Sequence, residues 1–367
     1  MPAYQTESER ARARAAFAQL LTKTKPAVES KMKSLFAGRR KVRAKNGREV
    51  REVVDVAEDL SMRGGKRFRA ALLVSTYLGQ KPRGSMDVAL AGGVALEMLQ
   101  SYLLIQDDWM DGDVERRGGP SAHVALASKL GKGPLPPDRA GAVGAVLASD
   151  FVWGLAIEAL VDARVDPEIR ARALKELIRI HEDVVAGQVL DTVAKDADVE
   201  LLHDLKTGSY TVRGPLALGA LLGGATNPTI KALAKFGEPL GVAFQLRDDL
   251  LGVFGTAEEA GRPQGSDLLA GKSSSVLRFA LPKLRGPARK AVDGVWKRRN
   301  VSARAMKAAI TAITDTGSRD AVEKRLASLC TRAELHASKL PLSQRARDEL
   351  AGASLAIRVG PGGREAR

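Results

Sequence analysis

From residue 49 to about residue 356 the apolar residues recur at three- and four-residue intervals, and no stretch sustains the alternation of a half-buried strand. This periodicity constrains the fold more than any other feature, because a chain without period-two segments must bury its apolar faces helix against helix. Helices are expected over 49–62, 67–79, 86–110, 139–162, 167–193, 199–222, 229–253 and 274–284, with shorter ones to about residue 356. The breaks are QKPRGS (80–85), GKGPLPPD (131–138), ATNP (225–228) and the long GTAEEAGRPQGSDLLAGKS (255–273). Aromatic residues make up only 4% of the chain while hydrophobic residues make up 44%, so 367 residues can bury a sizeable core with little β-forming material. The expected class is all-α, in one helical domain over 49–356.

No run of about 18 uncharged apolar residues stands out, so a spanning helix is not expected and the chain reads as soluble. The single cysteine, Cys330, allows no internal disulfide and no cysteine metal site; it fits a small core residue and a cytoplasmic setting. The net charge is +15, but residues 1–48 hold thirteen Lys or Arg against three Glu and so account for +10 of it. The excess sits in an extension, read as a solvated basic arm with some helix. Nucleic acid is not an expected partner, and peripheral contact with an anionic membrane is the sharper alternative for the arm. Glu7 and Glu9 argue against a transit peptide. Residues 357–367 read as a flexible C-terminal tail. Since every motif described below follows residue 60, the arm is expected to be dispensable for chemistry.

One stretch, LLIQDDWMDGDVERRGGP (103–120), ends an apolar run in Asp107, Asp108 and Asp111 and then presents Arg116 and Arg117. At 3.6 residues per turn the three carboxylates share a helix face, where like charges repel. A hard cation such as Mg²⁺, bound through carboxylates and substrate phosphates, would offset that repulsion. A calcium loop read from Asp107 fails, since its third position is Trp109 and its twelfth Gly118. A solvated acidic helix end is the plain alternative. The pattern recurs in AFQLRDDLLGVFG (243–255), where Asp248 and Asp249 follow Gln245 at the end of a second apolar helix. Two such helices can hold metal between them at the mouth of a bundle. RGGKRFR (63–69) sets Lys66, Arg67 and Arg69 at a helix start, suited to an anion. Lys206 lies in KTGSYT and Lys272 in SDLLAGK. The GGK element lacks the Gly pattern and the preceding strand of a nucleotide P-loop.

Taken in order, GGKRFR, DDWMDGDVERRGGPSAH, GQVLD, KTGSYT, FQLRDD and GSDLLAGK resemble the motifs of the trans-prenyltransferases, the polyprenyl diphosphate synthases, over about residues 50–350. The resemblance implies an isoprenoid-synthase-type helical bundle around a central apolar cavity, and Mg²⁺-dependent head-to-tail condensation of isopentenyl diphosphate with an allylic diphosphate. It assigns Asp107, Asp108 and Asp111 as one metal cluster with Asp248 and Asp249 opposite, and Arg116 to the allylic diphosphate. Lys66, Arg69 and Arg117 would hold isopentenyl diphosphate, with Gln100 where a His is common. Lys206, Lys272 and Gln245 would assist the allylic diphosphate or the leaving pyrophosphate, and Thr207 would lie near the reacting carbons. Gln188 and Asp191 match a site-lining element, and His123 reads as packing. A homodimer is implied by the resemblance alone.

The sequence departs from the family pattern at Gly252, where the second cluster often has a further Asp, with Asp267 a candidate to add charge; at Gln100 and Gln106; and at Arg262, where Lys is frequent. Tyr102, five residues before Asp107, is the expected floor of the product cavity. The uninterrupted DDWMD resembles archaeal-type enzymes making the twenty-carbon geranylgeranyl product, with farnesyl second. A terpene cyclase or a head-to-head synthase of the same fold, or a non-catalytic basic partner subunit, are the alternatives; none accounts for all six motifs.

Overall fold

The computed structural model describes every residue except 1–3, 5, 83, 194–200, 203, 273, 299, 364 and 367. The described chain is helical nearly throughout, as the periodicity requires. Its long helices are α1 (Glu7–Arg43), α2 (Arg48–Met62), α3 (Phe68–Gly79), α4 (Met86–Asp111), α5 (Ala122–Leu130), α6 (Pro137–Val161), α7 (Pro167–Val193), α8 (Gly214–Leu222) and α9 (Asn227–Phe254). Short helices α10 to α14 cover Ala257–Ala260, Ser266–Ala270, Ser275–Ala280, Gly286–Asp293 and Ala303–Thr314, and α15 (Ser318–Ser338) and α16 (Gln344–Arg358) close the bundle. The start of the helix expected at 199–222, and His203 with it, lies outside the described residues; Asp204–Arg213 forms a π-helix that runs into α8.

Helix α4 runs through the centre. Nearly every residue from Val88 to Tyr102 is buried, and small residues let its neighbours close in. A Cβ on Gly92 would lie 2.7 Å from Leu222 of α8 and 2.9 Å from Leu73 of α3, so these three helices approach more closely than any larger residue permits. By length and composition α4 and α6 are apolar enough to cross a membrane, which the sequence reading did not expect. Here they pack on each other, and 83% of the apolar window of α4 is buried inside the bundle.

The N-terminal segment is not a solvated arm. Thr6 and Glu9 form a reciprocal cap, and α1 buries Ala13, Phe17, Leu20, Thr24, Val28, Met32 and Phe36 at helical spacing. That stripe packs on α16, α2, α3 and α4. Much of the segment's basic charge is paired within the fold: Arg10 with Glu334 and Glu365, Arg12 with Asp348, Lys31 with Asp87, Arg39 with Glu158, and Arg40 with Asp55 and Glu58. The flexible tail is corrected likewise. Arg358 is buried, Val359 bridges Glu365, and Ala366 is buried. The helical period of α1 was present in the sequence but was masked by the density of lysine and arginine around it.

Candidate active site

Helix α4 stops because Gly112 adopts a left-handed conformation (φ 70°), and the amide of Asp113 returns to the Asp108 carbonyl at 2.8 Å. The chain then makes a two-stranded hairpin, β1 (Glu115–Arg116) and β2 (Gly119–Pro120), whose two central residues, Arg117 (φ 51°) and Gly118 (φ 73°), both have positive φ. That is the backbone a two-residue hairpin turn needs. It folds Arg116 back on the cluster, where its Nε donates to Asp108 Oδ1 at 2.7 Å, and sends Arg117 to the glycine turn, where Nη1 donates to the Arg63 carbonyl at 2.8 Å. Arg63 clamps the hairpin from the other side, donating to the carbonyls of Arg116 (2.8 Å) and Pro120 (2.9 Å).

The RGGKRFR turn divides its cations. Gly64 (φ 59°), Gly65 (φ 88°) and Arg67 (φ 53°) give it a run of left-handed residues, which leaves Lys66 exposed and turns Arg67 inward. Arg67 is buried and bonded to Glu97 of α4 (3.0 Å), Glu29 of α1 (3.0 Å) and the Ser61 carbonyl (3.0 Å). It is an anchor rather than a ligand-facing cation. Arg69 stacks over Tyr210, 4.3 Å from the ring centre, and bonds Thr211 at 2.9 Å. Burial and the neighbouring Arg67 and Arg69 hold Arg117 below the usual guanidinium range, the signature of crowded positive charge that an anion would relieve.

Across the mouth, Lys206 is brought in by the π-helix, which packs between α7 and α9. Its close approach needs Gly187, since a Cβ there would lie 2.6 Å from the Lys206 amide. Lys206 Nζ bonds Asp191 at 2.5 Å and Asp107 at 3.2 Å. Gln188 also donates to Asp107, at 3.1 Å. Burial opposes the Lys206 charge, yet Asp107 and Asp191 hold it well above the ordinary amine range; burial likewise opposes the Asp107 charge, and Lys206 and Lys272 keep that carboxyl low. Lys272 reaches from the long loop to Asp111 at 3.3 Å. Burial raises Asp108, Asp111 and Asp248, so three of the five cluster carboxylates carry their charge at a cost. Asp249 accepts from Gln245 at 2.8 Å and from the Ser275 amide at 2.7 Å.

A cavity of about 200 Å³ connects Asp107 of the first cluster with Asp248 and Asp249 of the second, and Lys206, Thr207, Gln245, Asp267 and Lys272 also line it. Among the described residues no three carboxyl or imidazole groups converge tightly enough to hold a metal alone. Mg²⁺ commonly takes one or two carboxylates and completes its shell with water and substrate phosphate. The donor set fits an ion that arrives with a diphosphate, and next to Asp107 the Asp108 Oδ2 is buried without a hydrogen-bond partner among the described residues.

The polyprenyl synthetase family model matches residues 50–313. The chain belongs to that family. It is a prenyltransferase with the helical isoprenyl synthase fold. The chain is 35% identical over 221 residues to the farnesyl diphosphate synthase of Geobacillus stearothermophilus, covering 56% of this chain and 67% of that protein. It is 30% identical over 289 residues to the geranylfarnesyl diphosphate synthase of Aeropyrum pernix, covering 76% and 84%. A solved geranylgeranyl pyrophosphate synthase from Corynebacterium glutamicum, complexed with isoprenyl diphosphate and magnesium, matches with TM-score 0.85 at 28% identity over 92% of this chain and 98% of that one.

Of the residues expected from sequence, Asp107, Lys206, Thr207, Gln245, Asp248, Asp249 and Lys272 share the cavity lining. Asp111 is joined to them by Lys272, Asp108 is held by Arg116, and Lys66, Arg69 and Arg117 lie off that lining. Gln100 is buried two turns below Asp107, also off the cavity lining, and among the described residues its Oε1 has no hydrogen-bond partner. Tyr102 lies 7% exposed in α4 and forms a ring cluster that the sequence did not reveal. Its ring centre is 5.9 Å from Trp153 of α6 and 5.1 Å from His181 of α7, and Trp153 and His181 stack at 4.3 Å. Sequence reasoning also missed Arg63, whose signal is its place beside two glycines, and the inward role of Arg67.

Proposed function

We propose that this prenyltransferase condenses isopentenyl diphosphate with an allylic diphosphate head to tail, in a Mg²⁺-dependent reaction, and releases mainly the twenty-carbon geranylgeranyl diphosphate. The observation that supports it most is the cavity whose lining Asp107 of α4 and Asp248 and Asp249 of α9 share with Lys206 and Lys272. Asp107, Asp108, Asp111, Asp248 and Asp249 would hold the metal, which when bound supplies positive charge to the allylic diphosphate. Lys206, Lys272, Gln245 and Arg116 would hold that diphosphate and stabilise the charge gathering on pyrophosphate as the allylic C–O bond breaks. Lys66, Arg69 and Arg117 would place isopentenyl diphosphate so that its double bond attacks the allylic carbon, with Thr207 lining the approach. The new C–C bond leaves a cation that loses a proton to the departing pyrophosphate. Apolar helix faces keep water from that cation.

Support for product length comes from the ring cluster. Tyr102 sits about 7.5 Å below Asp107 at 1.5 Å per residue, and Trp153 and His181 brace it from two further helices. The chain's relatives are named for farnesyl, geranylgeranyl and geranylfarnesyl products, so family membership leaves the length open and the proposal rests it on Tyr102. A homodimer is part of the proposal, supported by Val143, Val146 and Leu147 of α6 and Ile178, Val185 and Val189 of α7, all exposed apolar residues. Sedimentation of the purified chain tests it; a monomer at micromolar concentration refutes it.

Purified protein with Mg²⁺, isopentenyl diphosphate and dimethylallyl, geranyl or farnesyl diphosphate should form geranylgeranyl diphosphate. Release of hydrocarbon without use of isopentenyl diphosphate would overturn the reading. Tyr102→Ala should add at least one five-carbon unit to the product, and an unchanged profile from a folded, active variant would remove the floor from Tyr102.

A further inference from the structure

The positive charge of the chain has a second concentration. Residues 278–307 hold ten Lys or Arg against one acid, Asp293, and so carry +9. Outside this segment and residues 1–48, thirty-five Lys or Arg face thirty-nine Asp or Glu, a net of −4. Much of the charge on α1 is paired into the fold, whereas the charge on 278–307 is not. Among the described residues of the segment only Arg289 has a carboxylate in reach, Asp293 at 2.9 Å, while Lys283 and Arg285 bond backbone carbonyls. Lys290, Arg298, Arg304 and Lys307 are exposed and form no ion pair with any described residue.

The fold turns these cations outward. Helix α13 packs on α14, and the pair buries Val292, Met306, Ala309 and Ile313. That leaves Lys290 of one helix, and Arg304 and Lys307 three apart on the other, in water. Phe279 of α12 is 39% exposed at the start of the segment, with Lys283 Nζ 3.6 Å from its ring centre. The segment also reaches the mouth. Lys297 (φ 57°) donates its amide to the Leu268 carbonyl of α11 at 3.0 Å, and its stem lies over Gly271, where a Cβ would meet Cε at 2.4 Å. Gly271 adjoins Lys272, which bonds Asp111 at 3.3 Å.

We propose that residues 278–307 form a docking surface for an anionic lipid bilayer. Cations at this density repel one another, and an external polyanion supplies the partner that the fold does not. Exposed lysines and arginines beside a ring suit headgroup phosphates at the edge of the acyl layer. The choice of a bilayer over a nucleic acid rests on the function proposed above: an amphiphile with a twenty-carbon tail leaves the mouth, and a bilayer at this rim receives it.

The test is cosedimentation of the full chain with vesicles of equal parts phosphatidylglycerol and phosphatidylcholine, at about 0.1 M salt, against vesicles of phosphatidylcholine alone. Wild type should bind the anionic vesicles and not the neutral ones. Each cation near an anionic surface contributes about fivefold to binding, so the combined Lys290→Gln, Arg298→Gln, Arg304→Gln and Lys307→Gln variant should partition at least about a hundredfold more weakly. Its turnover and melting temperature should stay at wild type. A matched variant on α1, with Lys23→Gln, Lys33→Gln, Lys41→Gln and Lys45→Gln, should bind nearly as wild type does. Equal losses in the two variants overturn the inference, because binding then follows net charge and not this surface. So does a wild type that ignores anionic vesicles, or one that a DNA duplex strips from them through the same four residues. Should the fourfold variant fail to fold, Lys290→Glu with Lys307→Glu decides in its place. Vesicle binding through this surface by a protein that makes no prenyl product would sink the proposed function and leave the docking surface standing.

Discussion

Deleting residues 1–25 should destabilise the protein severely, because the segment belongs to the core. The deletion strips out Ala13, Phe17, Leu20 and Thr24, all buried against the bundle. Phe17 and Leu20 each contribute about 1.5–3 kcal/mol by burial, so the two together contribute about 3–6 kcal/mol. Phe17 also packs edge-on against Phe68 (5.5 Å between centres), and Phe68 in turn meets Phe244 at 5.6 Å, a ring chain joining α1 and α3 to α9. Losing its first contact removes about another 1 kcal/mol. The sum, about 4–7 kcal/mol, is comparable to the whole stability of many domains, about 5–15 kcal/mol. Tyr4 and Arg12 go as well, and Asp348, which bonds them at 3.0 Å each, loses two partners. Urea denaturation followed by circular dichroism would show a sharply lowered midpoint for the truncation and a smaller shift for Phe17→Ala, about 3–5 kcal/mol. A truncation with the wild-type midpoint would refute the packing of α1 and restore the solvated-arm reading.

Asp107→Ala should lower turnover at least about a hundredfold without loss of helix content, since leaving-group stabilisation in an organised site is worth several kcal/mol; near-wild-type turnover in Mg²⁺ would end the two-cluster reading. Arg67→Ala should leave Glu97 buried and uncompensated and cost about 3–5 kcal/mol, read as a fall in denaturation midpoint, whereas Lys66→Ala should leave the midpoint unchanged and raise KM for isopentenyl diphosphate. Burial lowers His181 below its ordinary value, with Glu182 opposing weakly. The unfolded chain therefore takes the proton first, so the His181 contribution is fully present above the ordinary imidazole value of about pH 6.5 and is lost as pH falls below it. His181→Phe should flatten that part of the melting-temperature profile, and an unchanged slope would show that the imidazole titrates freely.

The sequence by itself determined the fold class and grouped the carboxylates on which the proposed chemistry rests. Helical period is a local property, and so is the clustering of Asp107, Asp108 and Asp111 or of Asp248 and Asp249 on one helix face; both are legible because residues three and four apart must be neighbours. Order and identity of motifs were enough to recognise the family. What the sequence did not settle depends on partners far away along the chain. Lys66 and Arg67 are adjacent and alike in charge, yet left-handed turn geometry and the carboxylates of Glu29 and Glu97 send one to solvent and bury the other. The ring cluster of Tyr102, Trp153 and His181 exists only because α4, α6 and α7 meet. Helix formation is governed by neighbours within a turn, whereas the choice between a core anchor and an exposed cation is made by volume exclusion and charge pairing between segments that only the folded bundle brings together.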